Sequence, residues 1–520
     1  ERDKITGLID AENNKIRIKY DAVGNMVEVI TPEQYAEKGD KGKGYTFAYD
    51  AMDRMIKQID PLGNVFSVKY DEHGNKIKEV NPNYYTQEED DGIGIVFKYD
   101  SNHRQINTVF PDGSKSRIKY DPRGNIIKTI LPGDYNEETD DGPGMQFIYD
   151  EMNRIAKILD PNGNVFAKYV YDEDSRVIKE INAKGYISAD NDEERWGTLY
   201  KYNLAGWLVE KRTPLQNIDG QVFYNVTENV YDRNGRIVQQ KISPEYVTKT
   251  GYPKNWNIIS YKYDKNGRVI EVSDSIGSNI QYEYDCLGKK TLERIKINDN
   301  AYKITRFEYS SAGRLKKVSE ECNGSDLAGE EKGTVTADTL FEYDRNGNIT
   351  AITSPEGYRK RFIYDDANRR IGVEAYLPPE GVKISGNAAN ALLKTTVRRT
   401  LYSYDKAGNL VRQTLPNGST IEIEYDKMNR RIRVKDADGN TTRLFYDTSG
   451  NLIKRVLPEN YNPEIDDGPG TSYLYDSMNR LLQVTNAAGV VVERNVYNTA
   501  GEIIKKIGAK GYLAASDDNE

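Results

Sequence analysis

The sequence predicts an all-β fold built from tandem β-hairpins, and two observations carry that prediction. The dipeptide Tyr-Asp occurs sixteen times in 520 residues, at spacings that begin 29, 21, 29, 21, 29 and 22. Each copy follows a stretch of alternating apolar and charged residues and precedes a turn sequence. A unit of about 21 residues, often with an eight-residue insert, has the length of one hairpin. The tyrosines are Tyr20, Tyr49, Tyr70, Tyr99, Tyr120, Tyr149, Tyr171, Tyr231, Tyr263, Tyr284, Tyr343, Tyr364, Tyr404, Tyr425, Tyr446 and Tyr475.

The residues before each Tyr-Asp have the two-residue period of a strand. In the first unit Ile16, Ile18 and Tyr20 share one parity, whereas Arg17 and Lys19 share the other. Successive side chains of a strand point to opposite faces, so the tyrosine and its apolar partners lie together on one face. The sequence therefore predicts that each tyrosine ends a strand.

A turn follows each dipeptide. The fourth residue after the tyrosine is Gly, Asn, Asp or His in every unit except one, where it is Ser175. These types best tolerate a positive φ, and the Asp can accept backbone N–H bonds that close the turn. The best-preserved structural positions are Tyr20, Asp21, Gly24, Tyr70, Asp71, Gly74, Tyr120, Asp121, Gly124, Tyr446, Asp447 and Gly450.

We expect the array to run through residues 1–520 as about nineteen units without a domain boundary, because no linker composition interrupts it. Longer connections interrupt the regular spacing, and one of them carries a weak helical pattern at 387–397. Two nearly identical passages, 120–154 and 446–480, lie 326 residues apart. That echo indicates growth by duplication of repeat blocks.

Composition excludes several functional classes. The net charge is −8, so no basic nucleic-acid footprint is present. Apolar residues make up only 37%, yet 39 tyrosines argue against disorder and favour a thin core lined by amphipathic rings. Two cysteines cannot form a disulfide framework, and two histidines, both in turns, disfavour His-dependent catalysis. No apolar run approaches the length of a transmembrane helix.

Three inserts carry acidic pairs that are candidate Ca²⁺ ligands. The pairs are Asp90 and Asp91, Asp140 and Asp141, and Asp466 and Asp467. The alternative interpretation is a solvated turn with Gly at positive φ, and no required cofactor. The first insert has Lys41 in place of the second Asp, which favours that alternative.

The repeat resembles a known family. The strings "YDAVGNMVEVITP", "YDRNGRIVQ" and "YDPRGNIIKTILP" are similar to YD repeats, the RHS (rearrangement hotspot) family, and the resemblance spans essentially the whole chain. That family includes bacterial Rhs and wall-associated polymorphic toxins, toxin-complex shell proteins and animal teneurins. The resemblance implies one continuous antiparallel sheet that spirals into a hollow shell, open or partial here. It also implies a C-terminal toxic segment released by self-cleavage, but the family's terminal "DPxGL" pattern is absent, so no proteolytic residue is assigned.

The resulting expectation is a structural, non-catalytic shell segment that encloses, protects or presents a C-terminal effector polypeptide in cis. The alternative is a cell-surface adhesin that binds cell-wall glycan through its tyrosines, although a tyrosine in every unit favours a packing ladder. We expect a fragment of a longer bacterial protein that is secreted or displayed on the cell surface. Its unpaired sheet edges could also pair with other copies.

Overall fold

The computed structural model describes residues 4–191, 195–218, 221–298, 301–325, 331–377, 396–498 and 501–510. The structure is 55% strand and 4% helix, and turns and connections make up the rest. The first strands are β1 (Gly7–Ile9), β2 (Lys15–Tyr20), β3 (Met26–Ile30), β4 (Tyr45–Tyr49), β5 (Met55–Ile59), β6 (Val65–Tyr70), β7 (Lys76–Thr86), β8 (Asp91–Tyr99), β9 (Gln105–Val109), β10 (Lys115–Tyr120), β11 (Ile126–Ile130), β12 (Met145–Tyr149), β13 (Ile155–Leu159) and β14 (Val165–Tyr171).

The middle strands are β15 (Val177–Asn182), β16 (Thr198–Tyr202), β17 (Leu208–Ile218), β18 (Gln221–Tyr231), β19 (Ile237–Ile242), β20 (Val247–Thr248), β21 (Asn257–Tyr263), β22 (Val269–Asp274), β23 (Asn279–Tyr284), β24 (Lys290–Asn298), β25 (Ala301–Tyr309), β26 (Leu315–Ser325) and β27 (Glu331–Tyr343). The last are β28 (Ile349–Thr353), β29 (Arg359–Tyr364), β30 (Arg370–Leu377), β31 (Thr396–Tyr404), β32 (Leu410–Thr414), β33 (Thr420–Tyr425), β34 (Arg431–Lys435), β35 (Thr441–Tyr446), β36 (Leu452–Val456), β37 (Thr471–Tyr475), β38 (Leu481–Thr485), β39 (Val491–Tyr497) and β40 (Ile503–Gly508).

All these strands belong to one antiparallel sheet that is not closed, which confirms the predicted fold class. Each strand pairs with its neighbours in the chain, except that β19 pairs with β21 and the two-residue β20 pairs with β18. Every tyrosine of a Tyr-Asp dipeptide is the last residue of its strand. Within the described residues, β1 and β40 are the two ends of the sheet.

In the part of the chain that the structure describes, two short helices interrupt the strands where the sequence had indicated only longer connections. Helix α1 (Pro32–Lys38) has a proline at its start and buries Gln34, while α2 (Ala183–Tyr186) is capped by the Asn182 side chain. Single 3-10 turns lie at Gly39–Lys41 and Pro458–Asn460. The helical pattern at 387–397 lies outside the described residues except for its last two positions, which begin β31.

Four of the best-buried apolar side chains lie beneath the inserts. Ile30, Val80, Ile130 and Val456 are at most 2% exposed. Ile30, Ile130 and Val456 end the strand that precedes an insert, whereas Val80 lies within the longer strand β7. In each case the insert then folds back over that side chain. Two of its glycines permit this, since they lie so close to backbone carbonyls that a Cβ atom would not fit. An added Cβ on Gly142 would lie 1.9 Å from the Asp134 oxygen. The buried core beneath the inserts is therefore a series of small, separate clusters along a single sheet, each covered by one insert.

The sheet coils over itself. Because the strands are joined as antiparallel hairpins, all Tyr-Asp turns lie at one end of the strands and all other connections lie at the opposite end. We call the row of Tyr-Asp turns the lower edge of the sheet and the row of other connections the upper edge. These two rows are distinct from the end strands β1 and β40. Hydrogen bonds join upper-edge residues of the first 190 to lower-edge turns 300 to 342 positions later in the chain. One coil therefore takes slightly more than three hundred residues, and the first coil rests on the turns of the second.

Candidate functional site: the Tyr-Asp ladder and the seam between coils

The aspartate closes each turn. Asp71 Oδ1 accepts the backbone N–H groups of His73 at 3.0 Å and Asn75 at 2.8 Å, and the Asp71 backbone N–H donates to the Asn75 carbonyl. The side-chain amide of Asn75 donates to Oδ2 of the same carboxylate, which, with the backbone bonds, holds the Asp71 pKa below its usual range. Most other units repeat this arrangement, so the hydrogen-bonding capacity of the carboxylate is used within its own turn.

The fourth residue after the tyrosine has a positive φ in all sixteen units, between 57° at Asn479 and 114° at Gly24. Ser175, the one residue outside the tolerant types, still has φ 64°. Its hydroxyl accepts a hydrogen bond of 3.0 Å from Arg154 of the preceding unit, which supports a conformation that serine rarely adopts. A bulge precedes each tyrosine, as where Lys19 pairs with Glu28 but Tyr20 with Met26.

In most units the tyrosine hydroxyl links the unit to the one before it. It donates to the carbonyl of the residue six positions after the preceding unit's tyrosine, at distances from 2.6 Å in Tyr263 to 3.2 Å in Tyr475. The bond is made by Tyr49, Tyr99, Tyr120, Tyr149, Tyr171, Tyr202, Tyr231, Tyr263, Tyr284, Tyr309, Tyr364, Tyr404, Tyr425, Tyr475 and Tyr497. The tyrosine is thus a rung between hairpins.

The fifth residue after the tyrosine adds a second contact between neighbouring units, and the kind of contact depends on whether this residue is arginine or asparagine. Where it is arginine, its Nε donates to its own turn's Asp and its guanidinium lies over the next unit's tyrosine ring, 4.3 Å from the ring centre in Arg154 and 5.3 Å in Arg176. The arginines are Arg54, Arg104, Arg154, Arg176, Arg236, Arg268, Arg369, Arg430 and Arg480. A cation over a tyrosine face is stabilising, so these turns are tied together twice.

Where the fifth residue is asparagine, its amide reaches the next turn instead. Asn25 donates to Asp53 at 2.7 Å, and Asn75 contacts His103 Nδ1 at 3.0 Å. The same bond joins Asn125 to Asn153, Asn348 to Asn368, Asn409 to Asn429 and Asn451 to Asn479. A turn whose last two residues are Gly-Asn is therefore followed, in the next unit, by a turn whose last two residues are Asp-Arg, His-Arg or Asn-Arg. This signal was visible in the sequence, but sequence reasoning missed it.

The seam between coils is a second set of contacts. Glu33 of α1 donates its backbone N–H to Asn346 Oδ1 at 3.0 Å, and Arg345 donates its backbone N–H to the Glu33 carboxylate at 2.7 Å. At the next insert, Asn83 donates to Asp405 at 2.9 Å and accepts the Ala407 N–H at 3.1 Å. The upper edge of the first coil therefore holds the turns of the second through direct polar bonds.

At the third insert the seam tightens further. A Cβ added to Gly133 would lie 2.5 Å from Ser449 Oγ, so the glycine allows close approach to that turn. Burial at this contact raises the Asp134 pKa, with a smaller contribution from the nearby Asp447 carboxylate. The two passages that echo each other in sequence are thus stacked directly, one above the other.

The acidic pairs of the inserts face cations from neighbouring strands. Arg117 forms an ion pair with Asp140 at 2.7 Å, and Lys119 and Lys128 lie 3.1 Å and 2.8 Å from Asp141. The lysine hydrogen bonds hold the Asp141 pKa well below its usual range. In the other inserts, Lys57 pairs with Asp90, Lys69 and Lys78 with Asp91, Arg433 and Arg443 with Asp466, and Lys454 with Asp467. The carboxylates therefore neutralise cations of the protein itself.

The geometry corrects one expectation for these inserts. Positive φ falls on the first aspartate of each pair, Asp90, Asp140 and Asp466, and not on the glycines that follow. The glycines are required for close backbone approach instead. In the first insert Asp40 keeps the ion pair with Arg17, at 2.9 Å, while Glu28 pairs with Lys19 at 2.6 Å.

Nothing in this geometry favours Ca²⁺. Over the part of the chain that the structure describes, no three His, Cys, Asp or Glu side chains are grouped so that they could hold a metal ion. In that same part, no helix is long and apolar enough to span a membrane. The histidines His73 and His103 contact each other across adjacent turns, with ring centres 4.6 Å apart.

Comparison with known proteins assigns the repeat. A family model described as "RHS Repeat" matches residues 404–441, and one described as "Teneurin YD-shell" matches residues 216–375. The chain therefore contains repeats of the RHS/YD type in these two stretches. The solved structure titled "Crystal Structure of TcdB2-TccC3-TEV" has a similar fold, with a TM-score of 0.58, 16% identity and coverage of 94% of this chain and 27% of that one.

Similar curated proteins are much longer than this chain. The tRNA3(Ser)-specific nuclease WapA of Bacillus spizizenii is 28% identical over 174 residues, covering 32% of this chain and 7% of that protein. Toxin protein Tse5 of Pseudomonas aeruginosa is 27% identical over 171 residues, covering 31% and 11%. Teneurin-1 of Gallus gallus is 23% identical over 328 residues, covering 58% and 12%. The chain therefore corresponds to a small part of each relative.

Proposed function

We propose that this chain is part of the wall of a shell that encloses a C-terminal toxin or effector polypeptide in cis. The observation that carries the proposal is a single sheet that coils over itself and is sealed between coils by polar bonds. A domain built to fold around its own core would pack a second layer on the sheet. Here fully buried apolar side chains are few and are spread along the sheet, which leaves the sheet as a wall.

The proposed role is containment without catalysis. The aspartates of the turns and inserts are engaged by backbone N–H groups, lysines and arginines, so they have no free pair of carboxylates to offer. Most of the tyrosine hydroxyls of the repeat donate to backbone carbonyls. Polar groups held in local bonds suit a wall that must stay closed until delivery.

The relatives support the same proposal. Tse5 is named a toxin protein and WapA a nuclease, and this chain matches only 11% and 7% of their lengths. We infer that the matched part is the wall and that the named activities belong to other parts of those proteins. By the same likeness we propose a bacterial protein that is secreted or displayed on the cell surface.

The test uses the natural full-length protein that contains this chain. Intact mass and denaturing gels should show a clean C-terminal cut, with the small fragment still co-eluting natively and resisting protease. Arg345→Glu, which places a negative charge against Glu33 at the seam, should make the fragment protease-sensitive. The matched control is Arg233→Glu, on an exposed Tyr-Asp turn that takes part in none of the seam contacts described above. An uncut chain whose C-terminal part is digested as fast as the denatured polypeptide would contradict containment.

One loop supports adhesion as a second candidate function. The connection 243–256 exposes 55% of Tyr246 and 61% of Tyr252, whose ring centre lies 5.6 Å from that of Trp256. Arg212, only 8% exposed, fixes this loop by donating to the Gly251 carbonyl at 2.8 Å. Exposed, rigidly held aromatic rings suit stacking on sugar rings. Retention of the chain on cell-wall glycan that is lost in Tyr252→Ala would favour adhesion, and no retention would leave containment alone.

A further inference from the structure

The first three inserts place the same sequence position against the turns of the second coil. It is the second residue after the proline of a Pro-x-x-Tyr sequence, and the three residues are Gln34, Tyr84 and Asp134. The Gln34 amide donates to Asp366 Oδ1 at 2.8 Å, and the Tyr84 hydroxyl donates to the Asp426 carbonyl at 3.4 Å. At two of the three inserts, this position therefore binds the facing turn as a hydrogen-bond donor.

Asp134 occupies the third of these positions, but an ionised carboxylate has no proton to donate. The turn that faces it carries a second carboxylate, Asp447. Within the described residues, no hydrogen bond reaches the Asp134 side chain, which is half-buried. The ionised form of Asp134 is therefore both unpartnered and opposed by a like charge.

The cations around this contact are engaged by other groups. Across the seam, Arg430 donates to the Asp447 carbonyl at 2.9 Å and lies 3.7 Å from Asp112. On the insert, the charged and phenolic groups are joined to one another or to the strands beneath, in the pairs Lys115–Glu137, Arg117–Asp140, Lys119–Asp141, Lys128–Asp141 and Tyr135–Asp140. Burial raises the Asp134 pKa, the Asp447 charge adds to the rise, and among the described residues no cation offsets it.

We propose that Asp134 makes the seam pH-dependent, because its protonated carboxyl donates a hydrogen bond to the turn that carries Asp447 and its ionised carboxylate repels that turn. The Asp447 oxygens can accept this bond. Each already accepts one hydrogen bond from Asn451, at 2.8 Å and 2.9 Å, and a carboxylate oxygen has room for a second. Gln34 makes the equivalent contact without a titrating group, so the effect is specific to the third insert.

The direction of the effect follows from the raised pKa. A carboxyl group whose folded-state pKa lies above its unfolded value of about 4 stabilises the fold fully below that value. This stabilisation is lost as pH rises through the folded-state pKa. Seam ion pairs such as Glu33 with Arg345 respond in the opposite direction, since acid removes the carboxylate charge. Mild acidification should therefore tighten the third insert alone, whether or not the coils enclose a cargo.

Native-state hydrogen exchange of the natural full-length protein, followed by mass spectrometry between about pH 5 and about pH 7, tests the proposal. Asp134→Asn supplies a permanent donor of nearly the same shape. At about pH 7, exchange at 131–135 and 446–451 should be about three- to tenfold slower in this variant than in the unsubstituted protein. The difference should shrink as pH falls, because protonated Asp134 then makes the same bond. Comparing the two proteins at each pH cancels the intrinsic pH dependence of exchange.

Two further variants separate hydrogen-bond donation from loss of charge. Asp134→Ala removes the charge but cannot donate, so it should slow exchange less than Asp134→Asn does. Asp112→Asn removes a carboxylate that faces Arg430 across the same seam, so it should instead speed exchange at 426–431. Circular dichroism of each variant establishes that it retains its strand content.

Three results would overturn the proposal. One is exchange in Asp134→Asn that is as fast as in the unsubstituted protein, or faster, at neutral pH. Another is a difference between these two proteins that stays constant as pH falls. The third is equal slowing by Asp134→Asn and Asp134→Ala, because repulsion alone would then act at this position.

Discussion

The hydroxyl rung of the tyrosine ladder can be removed without disturbing the ring. Tyr263 donates to the Ile237 carbonyl at 2.6 Å, while the Arg236 guanidinium lies 4.6 Å from its ring centre. Tyr263→Phe deletes only the hydrogen bond and leaves the carbonyl acceptor half-buried. Losing such a bond costs about 1–2 kcal/mol, which corresponds to about 5- to 30-fold more frequent local opening.

Tyr446→Phe is the matched control. Its ring also lies under an arginine, Arg430, at 5.0 Å, but within the described residues its hydroxyl has no hydrogen-bond partner. Native-state hydrogen exchange followed by mass spectrometry should therefore show faster exchange at 231–242 and 257–263 in Tyr263→Phe. The Tyr446→Phe control should show almost no acceleration of exchange at 431–446. A local readout is needed because neighbouring units of a repeat array need not unfold together.

The opposite outcomes would refute this account of the ladder. Equal acceleration in Tyr263→Phe and Tyr446→Phe would mean that the phenol contributes through something other than this bond. No acceleration in either would mean that the ring and its arginine alone hold the units together.

Three further predictions concern the inserts. Gly142→Ala forces a Cβ to within 1.9 Å of a backbone carbonyl and should destabilise its insert by about 3 kcal/mol, seen as proteolysis within 131–144. Gly163→Ala, with φ 82° and open space around it, should cost only about 1 kcal/mol and leave that insert resistant. Burial raises the Asp91 pKa, but hydrogen bonds from Lys69 and Lys78 outweigh it and lower the pKa from 3.8 to about 2. This folded-state pKa lies below the unfolded value, so its stabilisation is complete above about pH 4 and is lost as pH falls towards 2, with faster exchange at 84–92. Finally, adding Ca²⁺ or a chelator should leave the thermal midpoint unchanged, whereas a reproducible rise with Ca²⁺ would reveal a site.

The hairpin fold was predictable because its signals are local. Strand ends, turns and positive φ all depend on residues within about five positions of each tyrosine, and backbone sterics restrict which residues fit. Even Ser175 adopts the expected φ, since the surrounding turn determines it. The rungs were also encoded locally, in the choice of Asn or Arg at the fifth position, but recognising them required the acceptor to be seen.

The helices and the seam depend on distant residues, which is why the sequence did not reveal them. Helix α1 has only seven residues, too short to be stable alone, and it is held by Gln34 donating to Asp366 across the seam at 2.8 Å. The insert glycines were misassigned for a related reason. A glycine at positive φ and a glycine against a carbonyl look alike in sequence, and only the folded insert distinguishes them.

The seam gives the 326-residue echo a physical meaning. A coil whose upper edge must fit its own lower edge one turn later constrains two segments that are far apart in sequence. Duplicating a block of about one coil's length places related inserts over related turns, so most contacts are inherited together. The copies also differ at the docking position, where the first has Gly133 and the second has Glu459. Gly133 permits the close contact with Ser449, so the turn against which an insert docks constrains the residue that the insert can carry at this position.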